Sequence, residues 1–307
     1  MDSVAFQYFQ DLKANGVVER IRKTPKTKDG ITIVETNGYV LSKCKIDGDP
    51  TNQYYIKKSD THRSVVSSAT ADMYGKAGIL TPPVYLIRAS KANQFDTLQQ
   101  DVCSLWDIDA VLACAVKGYD SLKEKAYGRF KWQIFYNTAL RDYFLKFMTP
   151  GCFNQLKNMF LASEVRTDID GHLKNYFFYK KPGDIKFSGV IPIDLEEMTI
   201  FDHRCQCKQD FENFIYLPYY TETPQQNNDY LCYKDRVRDI RELIQDGVMN
   251  EDNAETLRVM LSYDFPGEIK KKCNDHLIIG KERRKAIDPI ERLWEYNRQT
   301  IGRDLGL

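Results

Sequence analysis

The strongest constraint on the fold of this chain is a change of periodicity about ninety residues in. Before it, strand-like runs dominate. GITIVET (30–36) and GYVLSKCKI (38–46) meet at Asn37-Gly38, a dipeptide that accepts the positive φ angles of a tight hairpin. Gly48 marks a second turn, and NQYYIKKS (52–59) reads as a third strand. Residues 63–77 place small and apolar side chains at helical spacing and stop at Gly78, a natural C-cap. Pro82-Pro83 keeps that helix from resuming, and VYLI (84–87) reads as a short buried strand. Beyond this point helical patterns prevail, over roughly 102–117, 129–148, 152–163, 229–247, 250–263 and 281–299. One β-like interruption breaks them: NYFFYKK (175–181) and residues 188–201, separated by Pro182-Gly183-Asp184.

The spacing therefore predicts an α+β chain with a small β-rich lobe over 1–88, a hinge near 87–92, and a larger helical lobe over 89–307 with a β insertion. A crevice between two such lobes is where small-molecule sites commonly form. A length of 307 residues suits two lobes better than one domain or three. Residues 3–15 read as a short amphipathic helix, and the C-terminal ERLWEYNRQTIG (291–302) as a helix docked on the core.

Composition excludes some functions. Hydrophobic residues make up 42% of the chain and charged residues 28%, which argues against a disordered polypeptide. The net charge of +1 gives no global argument for nucleic acid, so any anion site must be local. The eight cysteines form no C-x-x-C framework, as expected of free thiols in a reducing compartment. Cys205 and Cys207, with His203, fall short of a zinc ligand set. No stretch approaches the ~18 apolar residues of a membrane span, and no secretory signal opens the sequence. The expectation is a protein folded in a cytoplasm.

The segment that carries chemistry is Asp168-Ile169-Asp170-Gly171-His172-Leu173-Lys174-Asn175, set immediately before the apolar run Tyr176-Phe177-Phe178. Nineteen residues after Asn175, Ile191-Pro192-Ile193 leads into Asp194. Phosphoryl transfer calls for these residue types. One Asp accepts the proton of the attacking hydroxyl, while an amide and a second Asp hold a divalent metal against the phosphates. Hard oxygen donors suit Mg²⁺ or Mn²⁺. The spacing from Asp170 to Asn175 matches the kinase pattern D-x-x-x-x-N, whereas Asp168 is two residues too far away.

DGHLKNYFF resembles the catalytic loop of the HipA-type toxin kinases, and IPIDLE resembles the metal-binding Asp segment of those kinases and of phosphatidylinositol-kinase-like enzymes. The resemblance implies a two-lobed protein-kinase-like fold with a catalytic loop at 166–175 and a metal-binding segment at 190–196. It makes Asp170 the base, Asn175 and Asp194 the metal ligands, Lys174 a charge at the transferring phosphate, and His172 a prop for the catalytic loop. Upstream, Tyr54-Tyr55-Ile56-Lys57 resembles the strand that carries the phosphate-binding lysine. Lys57 and Lys58 point to opposite faces of a strand, and Lys57 is the expected ATP ligand. By the same resemblance the acceptor is a Ser or Thr hydroxyl of a protein, and the chain could act in its own cell or as a translocated bacterial effector.

Two departures bear on this reading. The helix after the lysine strand normally supplies a Glu partner, yet no Glu occurs between Glu35 and Glu124, and the expected position falls near Ser67. No G-x-G-x-x-G loop is present either. A nucleotide-binding pseudokinase, a lipid or small-molecule kinase, and a nucleotidyl transferase on the same fold are the competing readings. Two basic clusters, Lys23, Lys26 and Lys28, and Lys271, Arg283 and Arg284, mark a candidate polyanion site for an inositol polyphosphate, phosphoinositide or nucleic acid; solvated surface is the plainer reading.

Overall fold

The computed structural model describes residues 31–37, 41–89, 94–106, 108–112, 138–166, 175–196, 217–218, 230–231, 243, 245–303 and 305–307. Three strands come first: β1 (Ile31–Asn37), β2 (Leu41–Ile46) and β3 (Asp49–Lys57). They form an antiparallel meander, with Asn37 opposite Leu41 and Ile46 opposite Asp49. Gly48 turns the chain between β2 and β3 at φ 86°, a conformation that costs glycine little. Asp49 secures this turn, accepting hydrogen bonds from Tyr54 Oη at 2.6 Å and Asn52 Nδ2 at 2.8 Å. Burial works against its ionisation, but these donors outweigh it and hold its pKa below the usual value.

Helix α1 (Thr61–Lys76) follows. Its sequence THRSVVSSATADMYGK is rich in small residues, and almost every side chain from Thr61 to Thr70 is buried. Serine and threonine hydroxyls fix it to the next two strands, β4 (Val84–Arg88) and β5 (Phe95–Gln100). Ser64 Oγ donates to the Phe95 carbonyl at 2.9 Å, Ser68 Oγ to the Val84 carbonyl at 2.6 Å, and Thr61 Oγ1 accepts from the Phe95 amide at 3.1 Å. Gly78 ends the helix at φ 74°, with the Ile79 amide bonded back to the Tyr74 carbonyl at 2.9 Å.

The five strands form one sheet in the order β1-β2-β3-β5-β4. This corrects the hinge expected near 87–92. Arg88 pairs with Phe95, and the Ala89 amide donates to the Gln94 carbonyl at 2.8 Å, so the chain makes a hairpin there and the sheet continues past residue 88. The chain leaves the sheet only after Gln100, through the short helix α2 (Val102–Trp106).

The helix expected over 102–117 is also corrected. After α2 comes β6 (Asp109–Leu112). The later elements are α3 (Thr138–Phe144), α4 (Pro150–Arg166), β7 (Tyr176–Lys180), β8 (Gly189–Pro192), β9 (Leu217–Pro218) and β10 (Tyr230–Leu231). Then come α5 (Glu251–Ser262), α6 (Phe265–Asp275) and α7 (Gly280–Asn297), which passes into a π-helical turn over Arg298–Gly302. Strands β6-β7-β8 form an antiparallel sheet, while β9 and β10 make a small ladder whose second strand, β10, falls where the 229–247 helix was expected to open. The proposed helix over 3–15 lies outside the described residues.

The chain divides into two compact units. The first holds the five-stranded sheet, the first part of α1 and residues 269–286; the second holds residues 72–81, 108–268 and 287–307. The first has a core built on Cys44, Ile46, Tyr54, Ile56, Ile87 and Leu98. In the second, α4 buries Leu156, Phe160 and Leu161, and the Phe160 ring lies 5.9 Å from that of Tyr176 on β7. A Cβ at Gly189 would meet the end of the Tyr179 ring, so any larger residue there would have to displace that side chain. The C-terminal helix docks as expected: Trp294 Nε1 donates to the Tyr263 carbonyl at 3.1 Å, and its ring lies 4.9 Å from Phe265. No helix among the described residues is long and apolar enough to cross a membrane.

Candidate phosphotransfer site

Asn175 and Asp194 are brought together by the β7–β8 hairpin. Tyr176 pairs with Pro192, so the residue before Tyr176 and the residues after Pro192 share one end of the ladder. The Ile193 amide donates to the Asn175 carbonyl at 2.8 Å. With facing strand residues ~4.5–5.5 Å apart, Asp194 lies one residue beyond the partner of Asn175. The apolar run of β8 is thus followed at once by Asp194, whose backbone lies near that of Asn175.

The backbone at Asp194 is unusual. Its φ is 59°, in the left-handed region, where Asp and Asn are among the few non-glycine residues found with any frequency. Immediately after it the chain is held on both sides. Leu195 and Glu196 are buried, and the Leu195 carbonyl accepts a hydrogen bond from Arg166 Nη1 at 2.8 Å. Arg166 is the last residue of α4 and is completely buried, and its guanidinium lies 5.4 Å above the Tyr74 ring. Beside it, the buried Asn297 donates to the Val165 carbonyl at 2.6 Å, satisfying one of the acceptors a helix leaves open at its C-terminus. Arg166 thus ties the segment after Asp194 to the end of α4, Asn297 caps that helix end, and neither was singled out from the sequence. The only signal was a charged residue ending the apolar run MFLASEV.

Lys57 is the last residue of β3, in the first unit. Tyr54 and Ile56 face the core, so alternation directs Lys57 to the opposite face, level with Thr97 on β5 and Leu41 on β2. Ser67, near which the lysine's acidic partner was sought, is buried in α1. Asp170, His172 and Lys174, together with Lys23, Lys26 and Lys28, lie outside the described residues. Lys271 is on α6, and Arg283 and Arg284 are on α7, all in the first unit.

An amide oxygen and a carboxylate oxygen suit Mg²⁺ or Mn²⁺. Among the described residues no three of His, Cys, Asp and Glu gather into a metal cage. The donor types of Asn175 and Asp194 would leave a cation to take its remaining ligands from water and phosphate, as Mg²⁺ does in nucleotide sites.

No protein-family model and no curated protein sequence matches the chain. Solved structures do. The chain is similar to the Helicobacter pylori proinflammatory kinase CtkA, with a TM-score of 0.51 and 12% identity over 84% of this chain and 90% of that one. It is similar also to HipA of the Shewanella oneidensis HipA–HipB toxin–antitoxin system, with a TM-score of 0.50 and 13% identity over 88% of this chain and 66% of that one. The order β1-β2-β3-β5-β4, with a helix between β3 and β4 and a lysine closing β3, agrees with that likeness. The chain thus has an α+β, protein-kinase-like fold, a small antiparallel sheet followed by a largely helical part, similar to those of CtkA and HipA.

Proposed function

We propose that the chain is an ATP-dependent kinase that transfers the γ-phosphoryl group to a hydroxyl, most naturally a Ser or Thr of a protein. The observation that carries this reading is the convergence of Asn175 and Asp194 at one end of the β7–β8 hairpin, directly after the D-x-x-x-x-N segment. In the reaction the acceptor oxygen forms a bond to the γ-phosphorus and the bond from that phosphorus to the β–γ bridging oxygen breaks, releasing ADP. Asp170 takes the acceptor's proton. Lys57 places a positive charge on the α- and β-phosphates, and Lys174 places one near the transferring group. His172 supports the loop. Asn175 and Asp194 would hold Mg²⁺ or Mn²⁺, which neutralises phosphate charge.

A second reading, nucleotide binding without turnover, draws on one observation. α1 carries buried Ser67 where a lysine partner would be expected, and it has no acidic residue in its first turn. Incubation with α- and γ-labelled ATP separates the readings. Transfer of γ-label that is lost in Asp194→Asn supports the kinase. Transfer of α-label means nucleotidylation. Binding without transfer of either label would overturn catalysis and leave a pseudokinase.

A further inference from the structure

The connection between α6 and α7 carries features that the phosphotransfer reading does not use. Leu277 and Ile279 are 73% and 72% exposed, while Ile278 between them is buried. Leu277 also sits at φ 55°, a left-handed conformation that a branched side chain rarely adopts. The reason is local. The Ile278 amide bonds to the Cys273 carbonyl at 2.8 Å and the Leu277 amide to the Asn274 carbonyl at 3.1 Å, a Schellman closure of α6 with Leu277 at the position glycine normally fills. Leucine here strains the backbone and exposes apolar surface to water. Glycine would relieve both, so folding does not explain the residue.

The surroundings indicate what would. Lysines 270–272 lie in the last turns of α6, and Lys281, Arg283 and Arg284 in the first turns of α7, against the acids Asp275 and Glu282. At 1.5 Å per residue, exposed Lys271 and Arg284 lie ~6 Å along their helices from the connection, within side-chain reach of its level. The base is firmly held. The His276 ring meets Phe95 edge-on at 5.4 Å, Arg283 donates to Asn274 Oδ1 at 2.6 Å, and Glu282 contacts His62 at 3.4 Å and Lys285 at 3.2 Å. Two outward aliphatic side chains on a short rigid connection, ringed by cations, match an anionic bilayer. Apolar groups enter the acyl boundary while lysine and arginine remain among the headgroups. A protein partner would more often be anchored by Trp, Tyr or Arg in a closely packed contact.

We propose that the α6–α7 connection is a membrane-docking tip, with Leu277 and Ile279 inserting into an anionic bilayer surface while Lys271, Lys281 and Arg284 contact its headgroups. This proposal does not depend on phosphotransfer. The test uses the full chain, in cosedimentation with phosphatidylcholine vesicles with and without phosphatidylserine. Binding is expected to the phosphatidylserine vesicles, and to weaken as salt is raised. Leu277→Gly should weaken it roughly tenfold or more, with a Tm equal to or above that of the parent. Lys271→Ala combined with Arg284→Ala should weaken it roughly thirtyfold. Three results would overturn the proposal: no binding to phosphatidylserine vesicles, binding unchanged by Leu277→Gly, or a Tm loss in that variant showing that Leu277 serves folding. Inositol hexakisphosphate bound equally by parent and Leu277→Gly, without vesicle binding, would assign the cations to a soluble polyanion instead.

Discussion

Replacing Arg166 with Met tests whether a buried cation positions the segment after Asp194 that is proposed to bind metal. Methionine keeps much of the stem's volume and removes the guanidinium. Two favourable contacts disappear: the charged hydrogen bond to the Leu195 carbonyl at 2.8 Å and the stacking over Tyr74 at 5.4 Å. A hydrogen bond from a charged donor contributes about 1.5–3 kcal/mol, and a desolvated cation–π contact about 2 kcal/mol. Opposing them, methionine avoids burying an ion, which itself costs several kcal/mol. The net loss of stability should be about 1–3 kcal/mol, visible in urea unfolding. The effect on the site should be larger in proportion. Releasing the Leu195 carbonyl should let Asp194 relax from φ 59°, a conformation that costs about 1–2 kcal/mol. Mn²⁺ affinity in the presence of nucleotide, followed by electron paramagnetic resonance, should fall roughly tenfold. Arg166→Lys should lie between parent and Met, since one ammonium cannot both donate and stack as a planar fork does. Parent-like stability together with parent-like Mn²⁺ affinity in Arg166→Met would refute the bracing role.

Three further outcomes are expected. Asp194→Asn should retain the fold, because Asn tolerates the left-handed conformation, whereas Asp194→Ala should lose about 1 kcal/mol more stability; equal Tm values for the two would contradict the strain argument. His62 is buried, and burial, with Lys285 nearby, lowers its pKa below 6.5 although Glu282 pulls the other way. A histidine whose folded pKa is depressed binds its proton more readily when unfolded, so stability is full above pH 6.5 and declines as pH falls below it; His62→Gln should flatten that part of the stability–pH curve. Finally, exposed Cys103 should react with a maleimide in the native protein well before Cys44 and Cys152, whose burial pushes their thiols up to about 12; mass-spectrometric mapping of labelled peptides reads the order.

The parts of the fold written in local chemistry were legible in the sequence. Asn37-Gly38 announced the first hairpin, Gly78 the end of α1, and the alternation around Lys57 its strand. The failures have a common physical cause. β5 reads FDTLQQ, with little apolar character, and becomes a strand because β3 and β4 flank it on both sides. Missing it put the hinge inside a hairpin. β6 reads DAVL, too short for periodicity to separate strand from helix, and pairing with β7 decides the matter. The same division holds at the site. Asn175 and Asp194 stood out because each lies beside a distinctive local run, and the hairpin register brings them together. Arg166 acts on a carbonyl twenty-nine residues away, and Asn297 on one still farther along the chain. No local pattern announces a brace of that kind.

The most direct test of the phosphotransfer account is a crystal structure with Mn²⁺ and a non-hydrolysable ATP analogue, read by anomalous scattering at the manganese edge. The account predicts a peak ~2.0–2.4 Å from both the Asn175 Oδ1 and an Asp194 carboxylate oxygen, with phosphate oxygens completing the shell. A nucleotide-bound metal held by other residues, with Asp194 turned away from Asn175, would contradict it.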